Sequence, residues 1–165
     1  MSADTITTAL FLITAVIAAG VLINAIYPVV YNMAGTFSSA THESDQRLRT
    51  DFKIVLITAN GTTKYGTAWM KNVGSAKISM DEIQRSDVFC GAVGEFKRLD
   101  YNSGTSDQWI AVIREPAPAN NFWDPGETLE IQFEASSLPA TSSTNAYFQL
   151  VLPNGIWRST EFTVN

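Results

Sequence analysis

Apolar side chains are not spread evenly along this chain. They form one long block, then a polar gap, then a series of short alternating runs. From Thr5 to Thr41 no side chain is acidic or basic, and Ile6 to Tyr31 (ITTALFLITAVIAAGVLINAIYPVVY) is nearly unbroken apolar sequence. A helix rises about 1.5 Å per residue, so crossing a bilayer core takes roughly 20 residues, a length that Ile6 to Tyr27 meets. The pattern therefore predicts a long N-terminal helix sheltered from water. A secretory signal opens on Lys or Arg and carries only about 7 to 15 apolar residues. Here the one charged side chain ahead of the run is Asp4, and the first basic residue is Arg47. An uncleaved helix is expected. The same scarcity of flanking Lys and Arg leaves its orientation open, although nothing basic just behind it opposes export of the C-terminal part.

One face of this helix is suited to meeting another. Ala15, Ala18, Ala19 and Gly20 make a small-residue patch that admits a close backbone, with Ala15 and Ala19 spaced as a small-xxx-small pair. Asn24 places an amide in the apolar run, where an unsatisfied amide is costly enough to favour a neighbouring helix that can bond it. These five residues form the candidate assembly face, and a plain lipid anchor is the alternative. Pro28 lacks an N–H and crowds the preceding turn, so a kink or an end is expected near Tyr27. The next stretch is polar, with Glu43 and Arg47, then Asp45 and Arg49, spaced i and i+4 with the acid first. It reads as a solvated helical stalk, or else as a flexible tether.

From Phe52 the period becomes two. Runs rich in Val, Ile, Thr and aromatics recur between turn signals. Strands are predicted at Phe52 to Ala59, Thr67 to Val73, Val88 to Cys90, Phe96 to Tyr101, Trp109 to Arg114 (closed by Glu115-Pro116-Ala117-Pro118), Thr128 to Ala135, Ala146 to Leu152 and Ile156 to Val164. Asn60-Gly61 and Pro153-Asn154-Gly155 supply hairpin turns, the first because both residues tolerate positive φ. In Thr128 to Ala135, Leu129, Ile131 and Phe133 alternate with Glu130, Gln132 and Glu134, one face packing and the other meeting water. Ser136 to Asn145 reads as an exposed loop. Roughly seven to nine short strands in about 115 residues fit an immunoglobulin-like antiparallel β-sandwich. The fold class is thus α+β, divided into 1–34 as the hydrophobic helix, 35–51 as the stalk and 52–165 as the sandwich.

The chemistry-bearing residues are few. A triad would have to use His42, the single histidine, and it lies in the polar stalk. Cys90 is the single cysteine; between apolar neighbours it is expected to be buried and inert. Asp81, Glu82 and Asp87 are close enough to consider for calcium, but a solvated loop explains them equally, and no zinc set is assembled. No catalytic residue, metal site or cofactor is assigned, and no enzyme is expected. With 11 basic and 16 acidic residues the net charge is −5, which disfavours nucleic acid as a partner. Asn60-Gly61-Thr62 is a glycosylation sequon as well as a turn. Of the four tryptophans, Trp69 and Trp109 sit in core-like patterns. Phe122 with Trp123, and Trp157, are the candidate surface contacts.

Taken together, these features resemble the archaellum stator proteins of the FlaG and FlaF type, FlaG more than FlaF. The resemblance runs through Ala18-Ala19-Gly20-Val21-Leu22-Ile23-Asn24, Gly35-Thr36-Phe37-Ser38-Ser39, Asp51-Phe52-Lys53-Ile54-Val55 and Trp69-Met70-Lys71-Asn72-Val73-Gly74. Pro125-Gly126-Glu127-Thr128-Leu129 and the Pro153-Asn154-Gly155 hairpin complete the order. It implies a non-catalytic structural component of the archaeal motility apparatus, with a pilin-like helix anchored in the cytoplasmic membrane and a β-sandwich outside it. The implied partners are sister subunits joined through the helix and other stator or envelope proteins. The alternative is a subunit of a pilus-like or archaellum-like extracellular filament whose N-terminal helices form the central core.

Overall fold

The structure, a computed structural model, describes residues 2–114 and 120–165; the expected Glu115 to Pro118 strand end lies outside the described residues. The chain divides after Ser44 into two compact units, 1–44 and Asp45–Asn165. Helix α1 runs Ser2–Arg49 with Pro28 inside it, so the chain does not leave the helical path at Tyr27. A proline removes one i→i−4 bond, and an otherwise unbroken run of helix-compatible residues keeps the path on both sides. The apolar block and the polar stretch behind it are one element, and Asp45 pairs with Arg49 at 3.7 Å as the spacing predicts.

The second unit carries strands β1 (Phe52–Ala59), β2 (Tyr65–Asn72), β3 (Ile78–Ser79), β4 (Asp87–Ala92), β5 (Glu95–Tyr101), β6 (Gln108–Arg114), β7 (Phe122–Trp123), β8 (Thr128–Glu134), β9 (Asn145–Val151) and β10 (Trp157–Thr163), with a short helix α2 (Met80–Gln84) between β3 and β4. Eight strands bond in the order β1-β2-β8-β6-β5-β4-β9-β10, and β3 pairs separately with β7. Among the described residues every pairing is antiparallel except β5–β6, which touch at Asp100↔Gln108 and Tyr101↔Trp109. That exception marks a corner. The chain leaves one four-stranded layer at Tyr101 and re-enters the other at Gln108, so two parallel ends meet without the long crossover that full parallel pairing needs. The architecture is α+β, a long apolar helix followed by an antiparallel-dominated β domain.

Inward-facing residues of the two layers meet in one core. Phe133 of β8 lies 5.4 Å from Phe148 of β9 between ring centroids, and Tyr101 stands edge-on to Trp109 at 4.9 Å. Phe52, Ala68, Met70, Val88, Leu129, Ile131 and Leu150 fill the space between. A bulge between Ile54 and Leu56 of β1 shifts the alternation, so Val55 and Leu56 both reach the surface while Ile54 and Ile57 pack on the core. On β2 the inward places go to Ala68 and Met70. Trp69, expected in the core, therefore turns outward and is half-buried.

The end of α1 is tied to the loop after β2. Ser75 and Ala76 donate their backbone N–H groups to the Arg49 carbonyl at 2.8 and 3.0 Å, and Val73 and Gly74 donate to that of Asp51 at 3.0 and 2.9 Å. The bonds to Arg49 satisfy a carbonyl that the helix end leaves open. Arg158 of β10 adds a 2.5 Å ion pair to Asp51.

Candidate assembly surfaces

All described side chains of α1 ahead of Thr50 are exposed. Ala15 and Ala19 are one turn apart on one face, and a Cβ added at Gly20 would meet nothing within 4 Å. Most threonine hydroxyls of the helix are already satisfied. Thr7, Thr8 and Thr14 donate to the carbonyls of Ala3, Asp4 and Leu10 at 2.9, 2.8 and 2.8 Å, and Thr36, Ser39 and Thr41 bond back in the same way. Such back-bonding hides polarity inside the helix. Asn24 has no such bond among the described residues. Its carbonyl is also the one whose regular helical donor, the N–H four residues on, is missing because that residue is Pro28. Asn24 and Pro28 together thus concentrate unmet hydrogen-bonding capacity at one level of an apolar helix.

On the β domain the expected aromatic pair divides. Phe122 is 42% exposed and Trp123 is fully buried. Successive strand residues point to opposite faces, and the β3 pairing Ile78↔Trp123 turns the indole inward. There it lies 5.8 Å from Phe52 and donates its Nε1–H to the Glu127 carbonyl at 2.9 Å. Trp123 is a core residue and offers no surface contact. Trp157 is 53% exposed, and Val55, Leu56 and Tyr65 expose more than half of their surface.

Asn60 sits in the β1–β2 hairpin, whose turn chemistry differs from the expected one. The residue with positive φ is Lys64, at 63°, and neither Asn60 nor Gly61 takes that conformation. The loop is longer than two residues: Ala59↔Gly66 is its last strand pair, and Lys64 N–H bonds the Asn60 carbonyl at 2.9 Å. Gly61 is needed for space, since a Cβ there would fall 2.3 Å from the Pro139 carbonyl oxygen.

Charged groups are engaged locally. Glu130, expected to face water, is 7% exposed because β8 is flanked on both sides. Arg114 Nε bonds one of its oxygens at 2.8 Å and Gln132 the other at 2.7 Å. Those two partners, Arg114 foremost, hold its carboxyl below the usual range despite burial. Of the three acids considered for calcium, Glu82 closes a capping box with Ser79 at the start of α2 and Asp87 pairs with Arg98 at 2.7 Å. No group of three or more His, Cys, Asp or Glu side chains is placed to hold a metal ion among the described residues. His42 is exposed on α1, in the first unit. Cys90 is fully buried, and desolvation pushes its thiol up to about 12.

A long helix that exposes its apolar side chains is joined in sequence to a β domain. The helix is long and apolar enough to cross a membrane. The family model for archaeal-type flagellin matches residues 2–162, and the chain belongs to that family. An uncharacterized protein of Archaeoglobus fulgidus is 26% identical over 158 residues, covering 94% of this chain and 95% of that one. The archaellum periplasmic stator protein FlaG from Sulfolobus acidocaldarius is 31% identical, with 68% of this chain and 99% of that chain covered at a TM-score of 0.57. The archaellum periplasmic stator protein complex FlaF and FlaG from the same organism gives 32% identity, 67% and 87% coverage and a TM-score of 0.55. The archaeal flagellum of Methanospirillum hungatei strain JF1 shares the fold over 97% of this chain and 93% of that one, with a TM-score of 0.69 at 12% identity. The chain is a structural component of the archaeal motility apparatus.

Proposed function

We propose that this chain is a stator-type subunit. Its helix lies in the cytoplasmic membrane and associates with the helices of sister copies, and its β domain stands outside to bind envelope proteins or a FlaF-like partner. It works by contact area and not by turnover. The observation that carries the stator reading is identity: above 30% to a solved stator protein over two thirds of the chain, against 12% to a flagellar filament.

Self-association through Ala15, Ala18, Ala19, Gly20 and Asn24 is supported by the contrast within the apolar part of α1, where Thr7, Thr8 and Thr14 bond back to their own helix while the Asn24 amide has no partner among the described residues. In hydrocarbon that amide gains most from a second copy. Cys90 is buried, so an engineered thiol reports alone. Oxidation of A19C in native membranes is expected to give disulfide-linked dimers, and N24L to weaken that cross-link several-fold. Equal cross-linking from I17C, about half a turn away on the opposite face, would overturn the assigned face. The filament reading is favoured by one observation, the full-length likeness of fold to an archaeal flagellum; there the same helices would pack together without lipid.

A further inference from the structure

Asn60-Gly61-Thr62 is the single Asn-X-Ser/Thr triplet of the chain, and the fold explains only part of it. The Asn60 side-chain carbonyl accepts the N–H groups of Thr62 and Thr63 at 2.9 and 3.0 Å, a local turn that suits Asn. Gly61 is required by the Pro139 carbonyl. Thr62 is required by nothing: it is exposed, and its hydroxyl makes no hydrogen bond among the described residues. Thr63 beside it is equally exposed and free of side-chain hydrogen bonds among the described residues, so the hairpin itself does not dictate a hydroxyl at Thr62, the position that a glycosylating enzyme reads.

The geometry also presents the acceptor. Asn60 is exposed, and with Oδ1 committed to the loop its Nδ2 has no acceptor among the described residues. Beside it lies an open cleft lined by Thr58, Thr63, Tyr65, Thr67 and Gln132, hydroxyls, an amide and an exposed ring that leave room for a sugar.

We propose that Asn60 is a site of N-linked glycosylation. Its Nδ2 attacks C1 of the first sugar of a lipid-phosphate-linked oligosaccharide. The N–C1 bond forms as the C1–O bond to phosphate breaks, the bonding pair leaves on the lipid phosphate, and one amide proton passes to a base of the transferase. This rests on the reading that the β domain lies outside the membrane, where such donors are presented.

Trypsin, cutting after Lys53 and Lys64, releases the peptide Ile54–Lys64 from full-length protein isolated from the membranes of its own cells. Mass spectrometry is expected to find it carrying a sugar increment on Asn60 that is lost in N60Q and in T62A and kept in T62S. A bare or merely deamidated peptide, or a sugar that survives T62A, overturns the assignment. Protease added outside intact cells separates the causes. If the β domain is digested while the peptide is bare, the glycan assignment falls alone; if the domain is protected, the export reading falls with it.

Discussion

Asn72 holds the loop that receives the end of α1, and removing its side chain tests that role quantitatively. It is 1% exposed. Its Nδ2 donates to the carbonyls of Ala76 and Trp123, both at 2.9 Å, and its Oδ1 accepts the Gly74 N–H at 3.0 Å. The loop so fixed is the one whose N–H groups cap Arg49 and Asp51. Asn72→Ala deletes one buried and two part-buried hydrogen bonds, each worth about 1 kcal/mol net, and of their partners the Gly74 N–H keeps its bond to the Asp51 carbonyl. The expected loss is about 3 kcal/mol, a large part of the roughly 5–15 kcal/mol typical of a domain. All four tryptophans lie in the β domain, so their fluorescence reports on that unit and not on the helix. With a urea slope of about 1–3 kcal/mol/M, the midpoint should fall by roughly 1–3 M in the detergent-solubilised chain. Asn154→Ala, which removes a single bond to the Ile156 N–H at 3.1 Å, is the control and should cost under about 1 kcal/mol. A loss for Asn72→Ala no larger than the control's would refute the reasoning.

Neighbouring features give further expectations. Gly74→Ala would set a Cβ 2.4 Å from the Arg49 carbonyl oxygen and 2.5 Å from the Asp51 nitrogen; because both are backbone atoms, a loss above about 2 kcal/mol is expected by thermal unfolding. Trp123→Ala should cost about 3–5 kcal/mol and Phe122→Ala under about 1 kcal/mol, and equal losses would contradict their opposite facings. With its thiol pushed up to about 12, Cys90 should resist alkylation in the native state and react only on unfolding; fast native labelling counts against its burial. The Glu130 carboxyl is held below its ordinary 4.5, so its contribution is complete above that pH and is lost as the pH falls through the lower folded value. Glu130→Gln should flatten the acid limb of a stability–pH curve in that window, and an unchanged limb would show that the Arg114 pair carries no linkage.

The large elements were legible because their patterns are physically exclusive. An uncharged apolar run has no alternative to shelter, and a period of two in residues such as Leu129, Ile131 and Phe133 fits a strand with one packed face. Three kinds of information were not legible. Trp69 stands in an apolar strand pattern and Trp123 beside a Pro-Gly turn, yet strand pairing turns the first outward and the second inward. Glu130 looks like a solvent-facing residue until both neighbouring strands cover it. The short β3–α2 segment escaped notice because two residues of strand carry no period, although Ser79 and Glu82 stand at capping-box spacing and could have revealed the helix start. On α1, Asn24 was visible as an odd amide. Its relation to Pro28 needed a helix continuous through both.

The most direct test of the central claim is where the chain goes when filaments are sheared from living cells. Quantitative mass spectrometry of the sheared filaments and of the washed membranes should place it with the membranes, in constant ratio to other envelope-bound motor components. Its recovery in the filament fraction at a subunit's stoichiometry would contradict the stator reading and make the chain part of the filament.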